Sequence, residues 1–360
     1  MKMANGKRIF AKKLRTMRVI FTTMLAVACM AANAQPAKWN SKTFFTVMSY
    51  NVENLFDTVN IAGKNDDEFT PTGKKEWTSA RYNEKLQHLS EAIAALNPTS
   101  GQFPDLVGII EAENIAVLKD LAAQPAIKGA GYQYILEEGP DPRGIDCGLL
   151  YNPQTFKYVS HKAFNVRLRP GNDRTRDILY VKGLSGKDTL HVFVNHWSSR
   201  IGGKDKTSGK RAQCADRLKS VTDSIIKRDP QCNILIMGDM NDEPSDESVY
   251  EILQAKEPSQ YSRLNNIMYA LQQKNKGKFG SGTYYYKGEY SMLDNLIVSN
   301  PLLTRTKGFR LYENTGYIFA PDFISFKESN GDIAPSRSYS GKYYGGYSDH
   351  YPVYMVFYKK

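Results

Sequence analysis

Six apolar stretches of this 360-residue chain end in groups that handle protons, phosphates or metal ions. The clearest is "NILIMGDMND" (233–242), a run suited to a strand buried on both faces, which stops at Gly238, Asp239, Asn241 and Asp242. "VMSYNVEN" offers Asn51 and Glu53, "LVGIIEAEN" offers Glu111, and "VFVNHW" offers Asn195 and His196. Asp294 lies within "SMLDNLIV", and Ser348, Asp349 and His350 precede the last apolar run in "GGYSDHYPV". Singly, each has an ordinary role: Asn51 as a turn cap, Glu111 as a helix start, His196 as a satisfied half-buried imidazole, "SDH" as a turn. Repetition at six strand ends is harder to assign to chance, because a buried polar group left unsatisfied costs about 1–3 kcal/mol.

Carboxylates and amides without thiolates suit a hard cation, Mg²⁺ or Mn²⁺, which prefers oxygen ligands and retains waters. Two histidines near acids suit proton transfer or stabilisation of charge on a phosphoryl group. There is no P-loop, no EF-hand spacing around "GDMND" and no GxSxG elbow. Without CxxC or a Cys/His cluster, a thiolate zinc site is not expected. His88, His161 and His191 read as structural or surface residues.

The elements that must position these groups are strand-rich. "TFFTVMSYNV" (43–52), "DLVGIIEAEN" (105–114), "IDCGLLYNP" (145–153), "TLHVFVNHW" (189–197) and "YPVYMVFY" (351–358) read as strands. "RYNEKLQHLSEAIAAL" (81–96) carries Leu86, Leu89, Ile93 and Leu96 on one helical stripe. A second helix, 210–230, turns Leu218, Val221 and Ile225 inward and is halted by Pro230. The stretch 282–300 predicts a hairpin pair with Gly288 in the turn, and the polar segments 57–77 and 325–346 predict surface loops around a site. Strands outnumber helices and many lack a helix between them. This predicts mixed sheets packed on each other with helices outside, not a doubly wound arrangement.

In this order the motifs resemble the endonuclease/exonuclease/phosphatase superfamily, over roughly Thr43 to Tyr358. "SYNVENLFD" is similar to its first motif, "LVGIIEAEN" to its metal-ligand glutamate motif, "NHW" to its central histidine, "GDMND" to GDxN, "LDNLIVS" to its LD strand and "YSDHYPV" to the terminal SDH. The resemblance implies a four-layer α/β sandwich, two mixed β-sheets face to face with helices outside, and all these residues at one end. It implies Glu111 as Mg²⁺ ligand with Asn51 and Asp349 assisting. It further implies Asp239 activating water, Asn241 and His350 holding the phosphate, Asp294 charging His350, and His196 stabilising the leaving or a non-bridging oxygen. Glu53 stands where some members have aspartate. Arg200 and Arg211, in the basic extension after "NHW", are expected to bind substrate phosphates, with a solvated basic loop as the alternative. Tyr284 to Tyr286 and Tyr343 to Tyr344 are candidates for stacking on bases or for sheet packing.

The function expected is Mg²⁺-dependent hydrolysis of phosphodiesters, with DNA or RNA as substrate. A phosphomonoesterase or sphingomyelinase-like hydrolase is the alternative, and a non-catalytic binding protein on the same fold is the competitor from another class. A monomer is expected.

Residues 1–34 read as an export signal: seven Lys/Arg and no acid up to Arg18, an apolar stretch too short to span a bilayer comfortably, then Ala32-Asn33-Ala34. A lipid anchor at Cys29 is the alternative, and neither leaves a transmembrane segment in the mature chain, 35–360, expected as a single domain. Removing the leader takes seven from the formal charge of +11 and leaves +4, so the basic pI says little about a nucleic-acid partner. The remaining cysteines, Cys147, Cys214 and Cys232, are compatible with one bridge or none. N-terminal sequencing of the exported protein is expected to begin at Gln35; a lipidated start at Cys29 would replace cleavage with anchoring, and retention of Met1 would exclude both.

Overall fold

A strand apolar at every position needs cover on both sides, and the segment ending in Asp239 finds it by alternation. Leu235 and Met237 enter one buried cluster while Ile234 and Ile236 enter another on the opposite face. The computed structural model describes residues 42–96, 102–171, 174–258, 262–274 and 276–359. The expected leader and Cys29 fall outside these residues.

The strands are, in chain order, β1 (Phe44–Leu55), β2 (Leu106–Ala112), β3 (Gln133–Leu136), β4 (Asp146–Tyr151), β5 (Lys157–Phe164), β6 (Ile178–Ser185) and β7 (Asp188–His196). Next come β8 (Asn233–Asp239), β9 (Ala255–Lys256), β10 (Leu264–Asn266), β11 (Tyr284–Tyr286), β12 (Glu289–Ser291), β13 (Asp294–Ser299), β14 (Arg310–Leu311) and β15 (Tyr317–Ile318). The last are β16 (Ser325–Lys327), β17 (Ile333–Pro335), β18 (Tyr339–Ser340), β19 (Lys342–Tyr343) and β20 (Val353–Tyr358). The longer helices are α1 (Ser79–Ala94), α2 (Ile115–Ala122) and α3 (Lys204–Arg228).

Two seven-stranded sheets result. One runs β14-β20-β1-β2-β4-β3 with β15 also on β20; the other runs β5-β6-β7-β8-β13-β10-β9. Both are mixed: β1 is parallel to β2 but antiparallel to β20, and β8 is parallel to β7 but antiparallel to β13. Val47, Leu149 and Met355 from the first sheet meet Val192, Met237 and Leu296 from the second in one buried cluster, so the sheets pack face to face. On the outer face of the first sheet, Met48 and Ile109 join Leu86, Leu89 and Ile93 of α1 and Leu118 of α2. On the outer face of the second, Phe193 and Ile236 join Leu218 and Ile225 of α3. The expected four-layer α/β sandwich is the observed architecture.

Three local expectations change. α3 starts at Lys204, six residues before the expected start at Lys210, since its first turns are polar and carry no apolar stripe to announce them. The stretch 282–300 is not one hairpin pair: β11 and β12 form a small separate sheet, and β13 joins the main one. The polar stretch 325–346 folds into two short hairpins, β16–β17 and β18–β19, and 57–77 buries Phe69 and Trp77 beside Phe56. Among the described residues no helix is long and apolar enough to cross a membrane, and Cys147, Cys214 and Cys232 are free and buried.

Beside the site, glycine is required at position 238. Gly238 has φ +134°, and a Cβ there would lie 2.0 Å from the carbonyl oxygen of Asn195 on the neighbouring β7. Gly238→Ala is therefore expected to destabilise the protein by more than about 2 kcal/mol, since both backbone angle and space oppose it. Denaturant unfolding of the purified variant measures this; wild-type stability would show that β7 and β8 can part without loss.

Candidate active site

Strand pairing brings the polar ends together. In the second sheet Asp239, the last residue of β8, is paired with His196 on one side and with Asp294 on the other. Three neighbouring strands therefore deliver an imidazole and two carboxylates at one level. The first sheet adds Asn51, paired with Ile110, after which both ladders of β2 slip and Glu111 bulges out with φ 74°. Glu53, Asn54 and Asn241 also adopt left-handed backbone, at φ 52°, 55° and 50°. Strain of this kind persists only where its surroundings enforce it.

The carboxylate of Asp239 is the hub. Its Oδ1 accepts the backbone N–H of Asn241 at 2.8 Å. Its Oδ2 accepts from the Asn51 amide at 3.1 Å and from the Asn241 amide at 3.4 Å. The same oxygen lies 3.7 Å from Nε2 of His196 and 3.8 Å from Nε2 of His350. Burial pushes Asp239 up to about 7, His350 opposes that rise, and Asp294 and Glu111 add to it.

The two histidines differ in charge for identifiable reasons. Burial lowers His196 well below the usual imidazole range, and the positive charges of Arg176 and Arg143 lower it further. His350 is also buried, which alone would lower it, yet the carboxylate of Asp294, whose Oδ2 lies 2.7 Å from Nδ1, lifts it well above that range. Thr283 donates its hydroxyl to the same Asp294 oxygen at 2.6 Å and fixes the pair. Near neutral pH His196 is a neutral donor or acceptor and His350 a cation.

Glu111 lies at the edge of this group. Oε2 accepts the Asn54 N–H at 2.9 Å, while Oε1 faces the Asn51 amide at 3.4 Å and His196 Nε2 at 3.6 Å. Asp349 is half-buried, and burial raises its proton affinity, with Glu111 adding to the rise. Among the described residues no side-chain or backbone donor bonds the Asp349 carboxylate. Two neighbouring acids, one without a hydrogen-bond donor, fit a hard divalent cation held by one or two carboxylates with waters around it. The described residues hold no group of three or more His, Cys, Asp or Glu arranged to enclose a metal. Asn51 turns its Oδ1 to the N–H of Glu53 and its amide nitrogen to the acids, so in this arrangement it orients carboxylates.

Of the sequence-expected residues, Asn51, Glu111, His196, Asp239, Asn241, Asp294, Asp349 and His350 converge. The two arginines do not present free guanidinium groups. Arg211 on α3 is fully buried, with Nε 2.7 Å from Asp242 Oδ1 and its other nitrogens donating to the Thr207 hydroxyl and the Lys204 carbonyl. Arg200 donates to the carbonyl of Asn241 at 2.6 Å and pairs with Asp246 at 3.0 Å, holding the strained Asn241 backbone. A basic stretch in sequence could not show that Asp242 and Asp246 would engage these groups.

Three supporting residues were missed. Lys85 is buried, 3.7 Å from Glu53, and donates to Ser338 Oγ and to the Tyr347 carbonyl, tying α1 to the segment before His350. Its signal was a lysine three residues after Tyr82 and four before Leu89, on the apolar stripe of the helix. Arg176 pairs with Asp141 at 2.9 Å and bonds the carbonyl of Trp197 beside His196. Thr283, which fixes Asp294, gave no signal beyond its place before the tyrosine run.

The family model described as Endonuclease/Exonuclease/phosphatase family matches residues 46–359. No curated protein matches the chain by sequence. Among solved structures, a Bacteroides thetaiotaomicron mannosyl-6-phosphatase is similar at a TM-score of 0.53 and 17% identity, covering 87% of this chain and 99% of that one. TDP2 from D. rerio, complexed with single-strand DNA product, is similar at 0.51 and 16%, covering 87% and 98%. TDP2 from C. elegans is similar at 0.52 and 15%, covering 88% and 75%. At these identities the likeness concerns the fold.

Truncating Arg211 takes the close cation from buried Asp242 and leaves it the Ser248 hydroxyl at 2.7 Å and Arg200 at 3.7 Å, a change expected to cost about 3 kcal/mol. Arg211→Ala should therefore lower the melting temperature sharply, with KM little altered in whatever remains folded. A normal melting temperature with a raised KM would restore Arg211 to the substrate.

Proposed function

The chain belongs to the endonuclease/exonuclease/phosphatase family and is a hydrolase of phosphate esters, and on that footing we propose a Mg²⁺-dependent phosphodiesterase that attacks phosphorus directly with water. The observation that carries this is the set of groups around Asp239 Oδ2: two amides at 3.1 and 3.4 Å and two imidazoles at 3.7 and 3.8 Å. One carboxylate oxygen facing donors on several sides can take a proton from water while its neighbours bind the oxygens of a phosphoryl group.

The roles follow from charge and tether. Asp239, anchored through Oδ1, accepts the proton of the attacking water at Oδ2. His350, kept cationic by Asp294, binds a non-bridging phosphoryl oxygen, and Asn241 donates its amide alongside. His196, kept neutral, donates a hydrogen bond to the leaving or a non-bridging oxygen. Glu111 and Asp349 would hold Mg²⁺, with Mn²⁺ as substitute, and Asn51 orients Glu111 and Asp239. A bound cation there supplies charge neutralisation on the phosphate. No nucleophilic side chain is needed.

We further propose a mature, exported monomer comprising one domain, residues 35–360, acting on DNA or RNA. Phosphomonoesters, lipid phosphates and sugar phosphates would engage the same residues. Assay of purified 35–360 on plasmid DNA, RNA, sphingomyelin, inositol phosphates and a chromogenic phosphodiester tests the choice. Hydrolysis of a diester supports it; turnover of monoesters alone would replace it. A binding protein without activity is disfavoured by the complete set Glu111, His196, Asp239, Asn241, Asp294 and His350.

Activity is expected to vanish in EDTA and return with Mg²⁺ or Mn²⁺; full activity in chelator would remove the metal. Asp239→Asn should lower kcat by about 10²–10⁴-fold with little change in KM, since Asn241 and His350 still hold the phosphate. His350→Ala should damage both parameters. An unchanged kcat in Asp239→Asn, with a lower melting temperature, would reduce Asp239 to a turn cap.

A further inference from the structure

Three of the most exposed aromatic side chains face a single groove beside the active site. Tyr286, Phe326 and Tyr344 are 57%, 52% and 53% exposed, and all line a cavity of about 710 Å³ built from the three small hairpins β11–β12, β16–β17 and β18–β19. Exposed apolar surface gathered in one concavity marks a binding surface more often than aromatic residues scattered singly do. These rings do not pack a core, which distinguishes them from Tyr285 and Tyr290, buried around Ala334.

Arg337 lines the same groove. It is half-buried, no carboxylate lies within ion-pair distance of it among the described residues, and its charge acts on Asp349 and Tyr284 beside the catalytic residues. Lys287 and Lys342 stand over the rings of Tyr286 and Tyr344 at 5.2 and 5.0 Å, and Glu328 is the acid in the lining. Asn330, Ser336 and Ser340 supply neutral polar edges.

The groove is continuous with the catalytic residues. The ring of Tyr284 lies 4.9 Å from that of His350 on one side and stacks on that of Tyr286 at 6.5 Å on the other. Ser336, before Arg337, accepts the N–H of Ser348 at 3.0 Å, and Ser338, after it, donates its N–H to Glu53 at 2.6 Å. A group held by Arg337 is therefore tied through two hydrogen bonds to the strand ends that hold the reacting phosphate.

Resting on the phosphodiesterase proposed above, we infer that this groove is a subsite for unpaired nucleotides flanking the scissile phosphate, with Tyr286 and Tyr344 stacking bases and Arg337 binding the adjoining phosphate. Rings interleaved with cations match a chain that alternates flat bases with phosphates. A lipid tail would want continuous apolar surface without the cations, and a simple sugar phosphate has no second phosphate for Arg337. A duplex hides its base faces and cannot stack on the tyrosines.

Fluorescence anisotropy of a labelled single-stranded oligodeoxythymidylate with phosphorothioate linkages, on the full protein, tests this. Tyr286→Ala and Tyr344→Ala should each weaken binding by about tenfold. Arg337→Gln should lower the slope of log K against log salt by about 0.7, the loss of one phosphate contact on a single strand. Val159→Ser, an exposed apolar residue on β5, serves as control and should bind as wild type. Melting temperatures near wild type confirm that the variants fold. Wild-type affinity in all three variants, equal affinity for duplex, or displacement of the strand by a simple sugar phosphate as readily as by a dinucleotide would overturn the subsite. Turnover of the chromogenic diester is measured separately. If turnover is absent while the binding pattern holds, the catalytic proposal fails and the subsite stands; if turnover is present and the pattern fails, only the subsite falls.

Discussion

The structure depends on keeping one carboxylate, Asp239, in a nearly dry position between two strands that also end in ionisable groups. An ionised acid there is costly, as its displacement to about 7 shows. It is tolerated because register supplies what burial removes: His196 and Asp294 stand opposite it on β7 and β13, and His350 reaches it while bonded to Asp294. A slip of one residue in either ladder would turn every side chain of that strand to the other face and dissolve the arrangement. Gly238 protects the register by letting β8 approach Asn195 more closely than any side chain would allow.

The site also spans both sheets, which meet at this end through the Asn51–Asp239 and His350–Asp294 hydrogen bonds, while the first sheet is tied to the loops and helix around it. Ser348 donates its hydroxyl to the Asn51 carbonyl at 2.6 Å, and Glu53 accepts N–H groups of Ser338 and Tyr339 at 2.6 and 3.1 Å. Lys85 closes the same junction from the helix layer. These contacts explain why Glu53, Asn54 and Glu111 can remain in left-handed backbone: their carboxylates and N–H groups are tied to neighbours that a relaxed strand would abandon. Such rigidity suits the proposed proton transfer and phosphate binding, which both depend on fixed donors.

Much of this was legible in the residues. Continuous apolar runs ending in acids and imidazoles located all eight converging side chains, since a long buried strand leaves few places for them except its end. The stripe of Leu86, Leu89, Ile93 and Leu96 located α1, and the absence of helices between many strands indicated stacked mixed sheets. What sequence concealed was partnership across long separations. Arg211 reads as a free cation until Asp242, distant by a whole helix and strand, is seen to hold it. The hairpins of 325–346 were hidden for a related reason: their polar, glycine-rich composition is that of a loop, and their two- and three-residue ladders exist only against one another. Asn51 is expected to assist the metal from its place in a motif, and what sequence did not show is that its oxygen also accepts the Glu53 N–H while its nitrogen faces Asp239 and Glu111.

In the proposed mechanism water activated at Asp239 displaces the leaving group from phosphorus in a single step, without a covalent enzyme intermediate. The stereochemical course at phosphorus tests it most directly, using a chiral phosphorothioate diester hydrolysed in isotopically labelled water. One in-line attack inverts configuration, and inversion is the expected result. Retention would mean two displacements, with Asp239 or another side chain bonding to phosphorus, and would contradict the mechanism.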